Sequence, residues 1–161
     1  LPFTLGGHLV DKATDFVCTT RGDLANPGTF VWAPPLTVEP LPPRFHGRVA
    51  ILVDESTQSL AEFTALALQT SPGAIVVGST TAGADGNVSY VYFPGGYRGA
   101  ITGIGVFYPD RRPAQRTGIA VDVEVRPTLA GIRARRDEVL EAAVKKLLGR
   151  DVDLGPRLLD R

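Results

Sequence analysis

Residues 48–54 (RVAILVD) form an almost unbroken apolar run, the pattern of a strand covered on both faces. Residues 58–69 (QSLAEFTALALQ) have the length and Ala/Leu content of a helix and are apolar on most sides, which predicts a buried helix. Ser71, Pro72 and Gly73 stop it, and residues 74–78 (AIVVG) supply a second apolar strand. Strand, helix and strand in about 30 residues make a βαβ unit, so a parallel sheet with a right-handed crossover is expected. A Gly-rich loop, 79–87 (STTAGADGN), follows. Residues 88–93 (VSYVYF), 99–108 (GAITGIGVFY) and 121–127 (VDVEVRP) then read as strands, separated by turn sequences rich in Gly and Pro. Residues 136–149 (RDEVLEAAVKKLLG) carry an apolar stripe at helical spacing, acids in the first turn and Gly149 as a C-terminal cap.

The amino-terminal third has less pattern. Within residues 1–28 only 9–17 (LVDKATDFV) hints at a short helix or strand, while 29–33 (TFVWA) has the β-branched and aromatic content of a strand. Residues 34–43 (PPLTVEPLPP) hold five prolines, and because proline lacks the ladder donor they read as an extended connector. Residues 1–149 thus form one α/β domain, with a tail at 150–161 that carries no strong pattern.

Composition narrows the function classes. A chain of 161 residues with 17 Lys+Arg against 17 Asp+Glu has no basic excess for a nucleic-acid groove or an anionic membrane surface. No apolar run approaches the roughly 20 residues that cross a bilayer, and there is no basic-then-apolar leader. The single cysteine, Cys18, makes no internal disulfide framework and no cysteine-cluster metal site. No cofactor is called for. Met is absent even at position 1, which suggests a processed form or the carboxy-terminal part of a longer chain.

The junction VAILVDESTQSLAEF is where chemistry is expected. In parallel α/β sheets ligands bind beyond the carboxyl ends of the strands, and Ser59 sits there, where the buried helix begins. A hydroxyl at that place meets free backbone N–H groups and the positive helix end, which stabilise an oxyanion formed in acyl transfer. The amide of Leu60 is placed to donate to it. The competing reading is structural, and the local pattern favours it: Ser59-Leu60-Ala61-Glu62 fits the S-x-x-E capping box. A nucleophile also needs a base. His46 precedes the 48–54 strand and Ser59 follows it, so about 23 Å of extended chain separates them. His8 lies in a weakly patterned region, and Lys145 and Lys146 fall on the exposed side of the last helix. The 80–87 loop should rise at the same sheet edge as Ser59, but it has neither the spacing nor the Lys of a P-loop. Asp54, Glu55 and Asp85 are candidates for an acidic cluster there, with too few ligands for a metal and with solvated loop acids as the simpler reading.

Several ordered stretches together carry a resemblance. VAILVDESTQSLAEFTALAL, AIVVGSTTAGADGN, GIGVFYPD, QRTGIAVDVEV and RPTLAGIRARRDEVLEAAV resemble the carboxy-terminal half of the tail-specific, or C-terminal processing, serine peptidases, with the tricorn-core-like branch as the nearer match. The likeness runs over residues 47–148 and extends more weakly through TRGDLANPGTF. It implies a crotonase-like (ClpP/crotonase-type) α/β fold incomplete at its amino terminus, with Ser59 as nucleophile, Leu60 N–H in the oxyanion hole and Glu62 as the acid at the helix start. The place where the processing branch carries its lysine base falls on Ala84. The branch's supporting acid lands on Gln115, and the usual PDG turn reads Pro109-Asp110-Arg111.

The resemblance therefore implies a serine peptidase that cleaves peptide bonds through an acyl-enzyme. This chain would carry the nucleophile, and a base would come from outside it. The alternative is a non-catalytic peptide-binding or structural module in which Ser59 is only a cap. An acyl-CoA enzyme ranks third, since no basic cluster suits the CoA phosphates. The expected partner is a peptide or protein. Self-association through an exposed sheet edge or the last helix is a further expectation, and the resemblance alone favours a periplasmic or secreted location.

Overall fold

The computed structural model describes residues 1–152 and 154–155. Its central βαβ unit is the one the apolar runs predict: β4 (Ala50–Val53), α2 (Leu60–Leu68) and β5 (Ile75–Gly78), with the two strands parallel and in register from Ala50↔Ile75 to Val53↔Gly78. A short strand, β9 (Val123–Glu124), extends the sheet in parallel on the far side of β5. Its upstream neighbour Asp122 takes the Val76 N–H on its carboxylate at 2.7 Å and donates its own N–H to Val76 O at 2.9 Å, and the strand itself is shorter than the 121–127 run suggests.

The first third is more ordered than its pattern indicates. It opens with α1 (Pro2–Gly7), followed by the nine-residue β1 (Thr14–Gly22), the hub of an antiparallel sheet. The first half of β1 pairs with β3 (Leu36–Val38), and its second half pairs with both β2 (Phe30–Trp32) and β8 (Ile104–Phe107). The Pro-rich connector is therefore corrected: its prolines flank Leu36–Val38 and leave those three residues free to join the ladder. The single strand expected at 99–108 is two. Residues Arg98–Thr102 form β7 in a hairpin with β6 (Val88–Tyr92), and past Gly103 the chain leaves that hairpin to pair β8 with β1. A short helix, α3 (Leu129–Arg133), was not evident from periodicity; Thr128 caps it by accepting the Gly131 N–H at 2.9 Å.

The last helix, α4 (Glu138–Leu148), has Asp137 accepting the Leu140 N–H at its start and Gly149 left-handed at its end. It packs on β4 and β5 with Ala143 buried. The 150–161 tail falls largely outside the described residues. Beneath α2 the core joins both sheets through Val17, Val38, Ile51, Val53, Leu66, Val76 and Val106. Phe16 of β1 meets Phe3 of α1 and Phe63 of α2 edge-on, with centroids 5.5 and 5.1 Å away, which fixes the outer face of α2.

One glycine sets how closely β4 and β5 end. Gly78 adopts φ 140°, and a Cβ there would sit 1.7 Å from the Val53 carbonyl oxygen. Gly78→Ala combines a backbone strain with an overlap that only strand separation relieves. It is expected to cost about 3 kcal/mol, read as a fall in the denaturation midpoint at constant m-value.

Candidate active site

Ser59 is the residue at which β4, a polar loop and α2 meet, and its backbone is unusual. It is the N-cap of α2 with φ 53° and ψ −124°, a conformation sparsely populated by residues with a side chain. Its hydroxyl makes no capping bond, and the residue is exposed. The capping-box reading is thereby overturned on both its arms. Ser59 leaves the first-turn amides alone, and Glu62 turns inward instead of reaching back.

Glu62 is 1% exposed and organises the neighbouring loop. Its carboxylate accepts from Thr81 Oγ1 at 2.5 Å, Gly83 N at 2.8 Å and Ala84 N at 2.9 Å. Thr81 Oγ1 in turn accepts the Ile119 N–H at 2.8 Å, tying in the segment before β9. A buried carboxylate needs this many donors to offset its lost hydration. The loop so held returns a contact to the helix mouth: Ser59 N–H donates to Ala84 O at 3.1 Å. Ser59 is thus fixed through its main chain, while its Oγ is left for solvent or substrate.

Leu60, the first residue of α2, is 59% exposed, and its N–H has no acceptor among the described residues, as is usual in a first helical turn. This amide and the exposed hydroxyl lie on adjacent residues at the positive end of α2, where developing negative charge is favoured. A cleft of about 430 Å³ opens beside them, lined by Leu52, Val53, Thr57, Leu60, Ala61 and Thr64 among others. Its walls are mostly apolar, and Leu52 belongs to β4, on the side away from β5.

The acidic cluster considered from sequence does not gather. Asp54 Oδ1 accepts from the backbone and hydroxyl groups of Ser56 and Thr57, which closes the turn before Ser59 and holds the carboxyl below its ordinary range, Ser56 being the main cause. Glu55 accepts from Ser79 Oγ at 2.9 Å across the ends of β4 and β5. Asp85 is buried and bonds neither of them. No cluster of three or more metal-ligating side chains occurs among the described residues.

Asp85 is what sequence reasoning underrated. It is 6% exposed; its Oδ1 accepts the Gly86 N–H at 2.7 Å, and its Oδ2 is buried without a donor among the described residues. Gln115, at the place the resemblance gives to a supporting acid, donates from Nε2 to the main-chain oxygen of Asp85 at 2.8 Å. Burial raises the Asp85 carboxyl from 3.8 to about 6, with the charge of Glu62 adding and the Gly86 N–H opposing. The native state therefore binds more protons than the unfolded chain between those values, so stability should fall as pH rises from about 4 to about 6, by up to about 3 kcal/mol. Urea denaturation across that window measures the slope, which should become more positive in Asp85→Asn.

The histidines are as remote from Ser59 as the topology requires. His46 is exposed ahead of β4, at the opposite end from the helix mouth. His8 follows α1, and its Nδ1 lies 2.9 Å from Pro43 O and 3.2 Å from Leu41 O. Ala84, at the place the resemblance gives to a lysine base, carries only a methyl group.

Residues 12–125 match the model of peptidase family S41. The chain belongs to peptidase family S41. Solved structures share the fold of this S41 chain. A putative peptidase from Parabacteroides merdae superposes with a TM-score of 0.84 at 20% identity, over 91% of this chain and 47% of its own length. Mature CPAF in complex with lactacystin gives 0.74 at 18% identity, over 92% and 41%. The photosystem II D1 C-terminal processing protease gives 0.54 at 23% identity, over 98% and 36%. The S41 chain thus spans less than half the length of each of these. No curated protein matches it. No helix among the described residues is long and apolar enough to cross a membrane.

Proposed function

We propose that the chain carries the nucleophilic half of a serine peptidase site. Ser59 Oγ attacks the carbonyl carbon of a peptide bond, and the Leu60 N–H receives the developing oxyanion. The Ser59 proton passes to a base contributed from outside residues 1–161 and then to the departing amine as the C–N bond breaks. Water repeats the sequence in reverse to release the acyl group. The observation that carries this reading is the exposed Ser59 with its hydroxyl uncommitted, held at φ 53° by a main-chain bond to Ala84. A residue that served only as a cap would accept an amide bond and would have no reason to adopt that backbone.

A non-catalytic peptide-binding module is favoured by one specific observation, the methyl of Ala84 together with two histidines placed elsewhere. Fluorophosphonate labelling separates the two. The full-length gene product should label at Ser59 and turn over peptides, whereas residues 1–161 alone should label scarcely. Peptide binding without labelling in the full-length product would establish the module instead.

A further inference from the structure

Asp85 leaves a buried acceptor unmade beside the helix mouth. Native interiors rarely leave one so, because each costs a substantial fraction of a fold's stability, and an exception points to a partner. The other two oxygens of the residue are tied down. Its carbonyl holds Gln115 Nε2 at 2.8 Å, and its Oδ1 holds Gly86 N at 2.7 Å. The residue before it, Ala84, is bonded on one side to Glu62 Oε2 and on the other to the Ser59 N–H. Of its three oxygens only the buried Oδ2 lacks a donor among the described residues, and bonded neighbours hold it in place.

The chemistry of the acceptor defines its donor. Glu62 is the charged group that bears on Asp85 from α2, and the segment facing it from 113–118 brings the neutral amide of Gln115. A carboxylate beside another carboxylate and out of water is best satisfied by a cationic or strongly polarised N–H. An imidazole or an ammonium meets that need. Either can also take a proton from a nearby hydroxyl, which is the service Ser59 lacks. Gln115 cannot play the anion, since it is neutral and its Nε2 is committed to the Asp85 carbonyl.

We propose that Asp85 Oδ2 receives and orients the N–H of the incoming base beside Ser59, so that Asp85 is the carboxylate of the site and Gln115 is the strut that holds it. The inference rests on the peptidase reading above. As Ser59 Oγ bonds to the substrate carbon, the base gains the Ser59 proton and a positive charge. Asp85 remains ionised, stabilises that cation and fixes its orientation, and the proton leaves with the amine when the C–N bond breaks. Asp85 is a positioning residue in this scheme, because it acts through the base and touches no substrate atom.

The test uses the full-length gene product and two readouts. Fluorophosphonate labelling and peptide turnover of the unmodified protein come first; their absence removes the peptidase reading and this inference with it. With turnover present, Asp85→Asn keeps the shape but offers no anion. It should lower kcat roughly 10²- to 10⁴-fold with little change in KM and a displaced acid limb in the pH–rate profile, and the loss should be deeper than in Gln115→Ala. A kcat within about threefold of the parent, with an unchanged profile, overturns the assignment and leaves the peptidase reading intact. The second readout needs no variant. The ¹³C resonance of the Asp85 carboxyl should titrate well below 6 where a cation is paired with Oδ2, and a midpoint at or above 6 overturns the proposal.

Discussion

Ser59→Ala in the full-length gene product should lower kcat by roughly 10⁴- to 10⁶-fold and abolish fluorophosphonate labelling, with little change in stability. The second half of that expectation separates a nucleophile from a cap. A capping serine replaced by alanine loses about 1 kcal/mol, because a first-turn amide loses its acceptor. Ser59 makes no such bond, so the substitution removes nothing the helix uses. Its backbone instead stores strain at φ 53°. Ser59→Gly should therefore end turnover just as completely while stabilising the fold by up to about 1 kcal/mol, the gain being trimmed by glycine's larger unfolded-state entropy. Thermal unfolding of the two variants beside the parent measures this. A loss of about 1 kcal/mol in Ser59→Ala with turnover intact would return the residue to the role of a cap.

Glu62→Ala is expected to be the most destabilising single change, costing about 5 kcal/mol. It strands the Thr81 hydroxyl and the Gly83 and Ala84 amides, the first two on buried residues. Each buried donor left unmade costs about 1–3 kcal/mol, and a cavity the size of the lost side chain adds to that. Glu62→Gln should be milder: it keeps the volume and one acceptor oxygen but turns an NH₂ toward at least one donor. Denaturant midpoints for the two should fall in that order. Because the 81–84 loop also holds Ser59, labelling by a fluorophosphonate should weaken in Glu62→Gln even where the protein remains folded. Equal stability of Glu62→Ala and the parent would show that the loop holds itself without the carboxylate.

The βαβ unit was legible because β4, α2 and β5 direct apolar residues into the same core, which writes apolar runs into the sequence, although Leu52 is exposed and β4 is not covered on both faces as its run suggests. Ser59 was legible as a position, since it is the last polar residue before that burial begins. Its state was not. The sequence S-x-x-E is the same whether Glu62 bonds the Ser59 amide or the distant 81–84 loop, and only tertiary contact decides between them. β1 escaped notice for a related reason: three different strands pair along it, so its buried positions run Phe16, Val17 and Cys18 in succession instead of alternating. The break between β7 and β8 rests on one residue, Gly103, within a run whose composition is uniformly strand-like. The burial of Asp85, which the sequence offers only as one of three solvated loop acids, has no local signature, because a carboxylate in a Gly-rich loop normally faces water.

The attachments that hold the 83–84 segment against the helix run through Gly83 N, Ala84 N and Ala84 O, all of them main-chain atoms. The side chain at position 84 is exposed and takes no share in them. Architecture and reagent are thereby uncoupled at this point. The scaffold keeps an interchangeable socket beside its serine, in which evolution or an engineer can exchange one functional group for another without rebuilding what surrounds it.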